Sequence, residues 1–175
     1  MEILKRILFL AIIIEIANSI PVDKWQKSED LPTFFINTEN KYNWHEAWNE
    51  CASRNMSLVA VDTIEKHTAL QTVLRKKFAK APNLWLGGHD LGESGKYIWS
   101  STGKQFDFSN WSNGNPDNYK GLENCAHIWD QTDFEWNDGS CKSKIGYICE
   151  ENRFVVAARR DFAVKKNFIY QLFEL

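Results

Sequence analysis

The stretch DFSNWSNGNPDNYKGLENC, residues 107–125, decides how the rest of the chain is read. Its Asn, Gly, Ser, Asp and Pro content is that of a long loop, and such a loop inside a compact domain is usually functional or disordered. Asn115-Pro116-Asp117-Asn118 and Glu123, taken with Asn137-Asp138 further on, gather three carboxylates and several amide oxygens, with no sulfur or imidazole among them. Hard oxygen donors of mixed charge suit Ca2+, which takes about 6 to 8 of them. Five side chains and one backbone carbonyl would leave about two positions open, enough for the vicinal diol of a sugar. The spacing is not that of an EF-hand loop. By composition alone the same residues describe an ordinary polar loop; their placement relative to the cysteines is what separates the two readings.

Working outward, the flanks carry alternating strand and helix signals. Phe34-Phe35-Ile36 reads as a first strand. Asn43 reads as a helix cap, with Glu46 three residues on as a capping box. Trp44, Ala47, Trp48 and Cys51 form the buried face of that helix, and Arg54-Asn55 ends it. Leu58, Val59, Ala60 and Val61 make a short apolar strand. Asp62 or Thr63 opens a second helix with His67, Leu70, Val73 and Leu74 inward. Trp85-Leu86-Gly87-Gly88 is a buried strand whose glycines allow close backbone approach, and Tyr97-Ile98-Trp99 is another. The last two strands are expected at Cys125 to Trp129 and Ile145 to Glu150. Trp85, Trp99, Trp111 and Trp136 are read as core, with Trp136 positioning its polar neighbours.

The chain has 175 residues, 43% of them hydrophobic, and 21 Lys+Arg against 23 Asp+Glu. That balance excludes a general electrostatic grip on nucleic acid and the disordered class. Met1 to Ser19 reads as a secretory signal peptide: Lys5 and Arg6, an apolar run from Ile7 to Ile14, then Ala17 and Ser19 before cleavage at Ile20. The run is shorter than the about 20 residues that span a bilayer, so the chain is expected to be secreted and extracellular, without membrane insertion. Cys51, Cys125, Cys141 and Cys149 contain no paired zinc-type spacing. In an oxidising compartment four cysteines make two disulfides, with three connectivities open. Bridging Cys51 to Cys149 would close nearly the whole domain and Cys125 to Cys141 a small loop, worth about 5 and about 3 kcal/mol in the chain-entropy picture.

Together, Trp85-Leu86-Gly87-Gly88, Trp99, Trp111, Asn115-Pro116-Asp117, Glu123-Asn124-Cys125, Trp136-Asn137-Asp138 and Tyr147-Ile148-Cys149-Glu150 resemble the C-type lectin domain, over residues 31–151. The style is that of secreted insect galactose-type members, in the short form. The resemblance implies an α+β fold with two helices, two antiparallel sheets, a long calcium-binding loop, and disulfides Cys51–Cys149 and Cys125–Cys141. It implies Ca2+ held by Asn115, Asp117, Glu123, Asn137 and Asp138, with Pro116 cis. It also implies sugar binding through the same five residues, with Tyr119 as a stacking ring. Amide before Pro116 and acid after it is the galactose-type order, although Asn115 is one methylene shorter than the usual Gln. Asp90, Asn118 and Asn124 stand where some members hold a second Ca2+, but two of the three are amides. Crowded carboxylates and protonation predict Ca2+ release on acidification.

The expected function is therefore a secreted, calcium-dependent lectin for galactose-type glycans, and not an enzyme: no Gly-x-Ser-x-Gly or His-Glu-x-x-His occurs. The alternative is a C-type lectin-like protein-interaction domain with little sugar binding. Single sugar sites are weak, so a homo-oligomer is expected to add avidity. Residues 20–30 form an extended lead-in. Residues 152–175 form a C-terminal tail with helical patterning, in which Val155, Ala158, Phe162, Ile169 and Leu172 recur but Lys165 interrupts. It reads as a self-associating helix, a basic amphipathic surface helix or a partly ordered tail. Asn55 and Asn110 head the two glycosylation sequons.

Overall fold

The structure, a computed structural model, describes residues 34–173. The expected leader (residues 1–19) and lead-in (residues 20–30) lie outside the described residues. The elements run β1 (Phe34–Tyr42), α1 (Trp44–Ser53), β2 (Met56–Leu58), α2 (Ile64–Lys77), β3 (Leu84–His89), β4 (Ile98–Trp99), β5 (Cys125–Ile128), β6 (Trp136–Gly139), β7 (Ile145–Glu151) and α3 (Arg153–Phe173), with a 3-10 turn at Tyr119–Gly121. The class is α+β, as expected, with disulfides Cys51–Cys149 and Cys125–Cys141.

Helix α1 starts where its first residues require it. Asn43 Oδ1 accepts from the Glu46 backbone N–H at 2.9 Å, and Glu46 Oε2 accepts from the Asn43 N–H at 2.8 Å. The reciprocal box satisfies two donors that a helix N-terminus otherwise leaves open. Asn55 follows the helix at φ 56°, a left-handed position that Asn tolerates. Trp44, Ala47 and Cys51 are buried, and Cys51 is bonded to β7 through Cys149. Trp48, expected on that face, is 46% exposed. The tie from Cys51 to β7 draws the Ala47–Cys51 side of the helix inward and leaves position 48 at the margin.

The strands join in the order β1-β7-β3-β5-β6, with β2 also on β7 and β4 also on β3. Instead of two separate antiparallel sheets, all seven are linked through β3, which runs parallel to β7 at Leu84↔Gly146 and Trp85↔Tyr147. Leu84 to Gly88 are all buried, the covered environment that parallel pairing needs. Gly87 and Gly88 are required there. A Cβ on Gly87 would lie 2.8 Å from the Leu58 carbonyl oxygen, and one on Gly88 would lie 2.3 Å from Phe106 Cζ. Val59, Ala60 and Val61 are buried, as the apolar run implies, but only Met56–Leu58 forms a strand. On α2, Leu70 and Leu74 are buried while His67 and Val73 are half-buried.

Strand β6 has no strand signature in the sequence, because Asn, Asp and Gly are poor strand formers. Pairing with β5 across Ala126↔Asp138 and His127↔Asn137 imposes it. Its first residue, Trp136, belongs to an aromatic cluster with Trp99 (ring centroids 5.8 Å apart) and Trp111 (5.9 Å), while Trp99 stacks on Phe106 at 3.9 Å. This cluster underlies the long loop. α3 is a continuous helix over most of the tail. No helix among the described residues is long and apolar enough to cross a membrane.

The Ala60 N–H, which has no strand partner, donates to Glu150 Oε1 at 2.9 Å, and Glu150 Oε2 pairs with Lys66 Nζ at 2.8 Å. Burial raises the Glu150 carboxyl above its ordinary value, against the lowering effect of Lys66 and the Ala60 N–H. Glu150→Ala leaves the Ala60 N–H without an acceptor, while Lys66 keeps the Ala60 carbonyl at 2.7 Å and Asp62 at 3.2 Å, and is expected to cost about 1–3 kcal/mol in denaturant unfolding. Glu150→Gln keeps an acceptor for Ala60 but cannot titrate. Between the ordinary value of 4.5 and the raised folded value, the folded chain holds a proton that the unfolded chain has released. Wild-type stability relative to Glu150→Gln is therefore expected to fall as pH rises through that window and to be flat above it. Asn43→Ala, which removes the α1 cap, is expected to cost about 1 kcal/mol in the same assay.

Candidate functional site

Trp136 fastens the long loop at two points. Its N–H donates to the Asn110 carbonyl at 2.8 Å, and its carbonyl accepts from the Ser112 N–H at 2.9 Å. The next two residues on β6, Asn137 and Asp138, are thereby placed beside the loop's own polar residues. The carboxylates of Asp117, Glu123 and Asp138 each bring an oxygen within 4.8 Å of the other two. Asp117 is exposed, Glu123 half-buried and Asp138 fully buried.

Asp138 is held by the loop as much as by the sheet. Its Oδ1 accepts from the Asp117 N–H at 3.1 Å and its Oδ2 from the Asn118 N–H at 2.7 Å. Two backbone donors offset part of the cost of burying its charge. Asp117 Oδ1 accepts from the Tyr119 N–H at 3.2 Å, and Asn118 Oδ1 from the Glu123 N–H at 3.1 Å. Asn118 (φ 44°) and Lys120 (φ 58°) take left-handed conformations that fold the loop back and bring Glu123 to the cluster. Burial, then the Asp138 and Asp117 charges, push the Glu123 carboxyl above its ordinary value. The Tyr97 hydroxyl is buried with no hydrogen-bond partner among the described residues. Burial first, and then the Asp138 charge, hold it protonated. Three carboxylates gathered within 4.8 Å of one another, with no thiolate in the group, form an oxygen set that could hold a hard cation such as Ca2+.

The two amides are aimed by neighbours that the sequence reading did not single out. The Asn115–Pro116 bond is cis. Asn115 Nδ2 donates to Ser112 Oγ at 2.8 Å, and the buried Ser112 hydroxyl donates in turn to the Trp136 carbonyl at 2.9 Å. The Asn115 oxygen therefore points away from Ser112. On the sheet side, Asn137 Nδ2 lies 3.4 Å from His127 Nε2, and His127 Nδ1 lies 2.9 Å from the Ile128 carbonyl. Burial keeps His127 neutral by lowering its pKa. The tautomer that satisfies both contacts carries its proton on Nδ1. It accepts the Asn137 amide hydrogen, leaving Oδ1 as the outward atom of that amide.

Tyr119, on the 3-10 turn, is 59% exposed, with Lys120 Nζ 5.0 Å from its ring centroid. Asp90 accepts from the Gly95 N–H at 2.7 Å and from Asn124 Nδ2 at 2.9 Å. Here an amide donates where a second carboxylate would repel. Asn55 is exposed, whereas Asn110 is half-buried with Nδ2 3.5 Å from the Phe134 carbonyl. Ser112 could have been found from its hydroxyl three residues before Asn115. The role of His127 depends on its register opposite Asn137, which no local pattern encodes.

Residues 40–151 match the lectin C-type domain model. Among curated relatives, lectin subunit alpha of Sarcophaga peregrina is 41% identical over 152 residues, covering 83% of this chain, and the match spans only 54% of that protein's length. The C-type lectin mosGCTL-7 of Aedes aegypti is 36% identical over 72% of this chain and 87% of its own. Among solved structures, the C-type lectin CEL-I from Cucumaria echinata superposes with a TM-score of 0.60 at 26% identity, over 76% of this chain and 97% of its own. With the family model matching well over half of the sequence and relatives above 30% identity across most of it, this chain belongs to the C-type lectin domain family.

Proposed function

We propose that the chain is a secreted, calcium-dependent lectin that favours galactose-type glycans. The reading is carried by one observation: three carboxylates meet within 4.8 Å beside an Asn115–Pro116–Asp117 segment that sets amide first and acid second. Asn115, Asp117, Glu123, Asn137 and Asp138 are the proposed cation ligands. Bound Ca2+ would supply the open coordination positions that a vicinal diol fills. The same five side chains then act on the sugar directly, carboxylates accepting from its hydroxyls and amides donating to them. Exchanging an amide for an acid around Pro116 changes which hydroxyl geometry is satisfied, and the order here supports galactose over mannose. The exposed Tyr119 ring supports the same choice, since it offers a flat apolar surface to the face of a galactose ring.

Ser112 compensates for the shorter Asn115. By taking the amide nitrogen it leaves the carbonyl oxygen facing away from Ser112, so that a ligand orientation would not rely on a longer side chain to find it. The binding role needs no nucleophile or acid–base pair, because the carboxylates serve as ligands.

Retention on immobilised galactose in Ca2+, with release by chelator and weaker retention on mannose, is the expected outcome. Retention on mannose alone would sink the selectivity reading. Failure on both matrices while Ca2+ still raises the melting temperature would favour the interaction-domain alternative. Ser112→Ala is expected to weaken Ca2+ binding about 10-fold or more, as loss of a ligand-orienting partner does, measured by calorimetry, while Ser112→Thr retains it. Chelator is expected to lower the melting temperature of the wild type and to leave Asp138→Asn nearly unchanged, since that variant has lost the ligand on which loop and cation both depend.

A further inference from the structure

α3 leaves β7, and among the described residues it makes no extended contact with another strand or helix. Between residues 153 and 173 the sequence carries five Arg and Lys against a single Asp. Phe154, Phe162 and Phe168 are 67%, 53% and 60% exposed, and Val164 is 68% exposed. At 3.6 residues per turn the three phenylalanines fall within an arc of about 120°. Arg153 stands on one flank of that arc; Lys166 and Arg159, which pairs with Glu151, stand on the other. Asp161 and Lys165 lie inside it and pair with each other at 2.7 Å, so they bring no net charge to the face. Arg153 reaches over the Phe154 ring, with its guanidinium carbon 4.7 Å from the centroid.

We infer that α3 is a docking element for an anionic lipid bilayer, lying in the interface with its phenylalanine face down and its basic flanks against the headgroups. Charge decides the occupant. A second copy of the helix would bring like net charge against like, whereas a negatively charged surface complements it. The sequence pattern is that of an interfacial helix: three aromatic residues on one face around a single internally paired Asp161–Lys165 couple, further Arg and Lys at its borders, and too little continuous apolar length to span. Arg153, lying over the Phe154 ring, can reach a headgroup phosphate while its stem covers the ring. This surface shares no residue with the proposed sugar site and needs no cation.

The test uses the full mature chain and co-sedimentation with vesicles of phosphatidylcholine alone or mixed equally with phosphatidylglycerol. Binding to the mixed vesicles and not to phosphatidylcholine is expected, weakened at high salt and unchanged by chelator or by free galactose. Phe162→Ser with Phe168→Ser is expected to lower binding by at least about tenfold, from the apolar area withdrawn, and Phe162→Leu with Phe168→Leu to retain it. Equal binding to both vesicle types, or none, would overturn the inference. So would full binding by the serine variant, or sedimentation showing that this variant converts an assembled wild type to monomer. Because galactose retention is read separately, its failure leaves this result standing.

Discussion

The backbone of Trp136 is the constraint on which the functional end of the molecule depends. It pairs with β5 on one side and with the loop at Asn110 and Ser112 on the other. Its ring is locked among Trp99, Phe106, Phe108 and Trp111. A loop rich in Gly and Asn has high conformational entropy to lose. Two backbone hydrogen bonds to a strand whose side chain is buried in an aromatic cluster offset that loss where it matters. Everything polar downstream takes its position from there: Asn137 and Asp138 by sequence, Ser112 by direct contact, and Asn115 through Ser112.

A division of labour follows between rigid and adaptable parts. Asp138 and Asn137 sit on a strand and are oriented by fixed partners, the Asp117 and Asn118 N–H groups and the neutral His127. Asp117, Glu123 and Tyr119 come from the loop and are more exposed. The candidate ligand set therefore combines a buried base with a more exposed rim. That arrangement fits the proposed role, in which a cation would be gripped from below and a sugar would approach from the open side. The three carboxylates also explain one another: the raised Glu123 follows from sharing a partly desolvated space with two like charges.

Much of this was legible in the sequence. The Asn43–Glu46 box, the paired glycines of β3 and the oxygen-rich loop each carry a local signature, because capping, close backbone approach and turn chemistry act over a few residues. The resemblance carried the disulfide pairing and the grouping of Asp117, Glu123 and Asp138. What escaped was non-local. β6 is made of poor strand formers and exists because β5 offers it partners. Trp48 is turned outward by a covalent tie whose other end lies 98 residues away. His127 and Ser112 act through register and burial, and the joining of all strands through a parallel β3–β7 contact has no signature in either strand alone.

The pairing of β1 with β7 sets Phe34 opposite Glu150, so the chain enters and leaves this fold side by side. A polypeptide can be threaded through such an arrangement like a bead with both holes on one face. Sequence added before β1 or after β7 need not wrap around the lectin fold, and tension on either strand is borne by their shared hydrogen bonds before it reaches the loop.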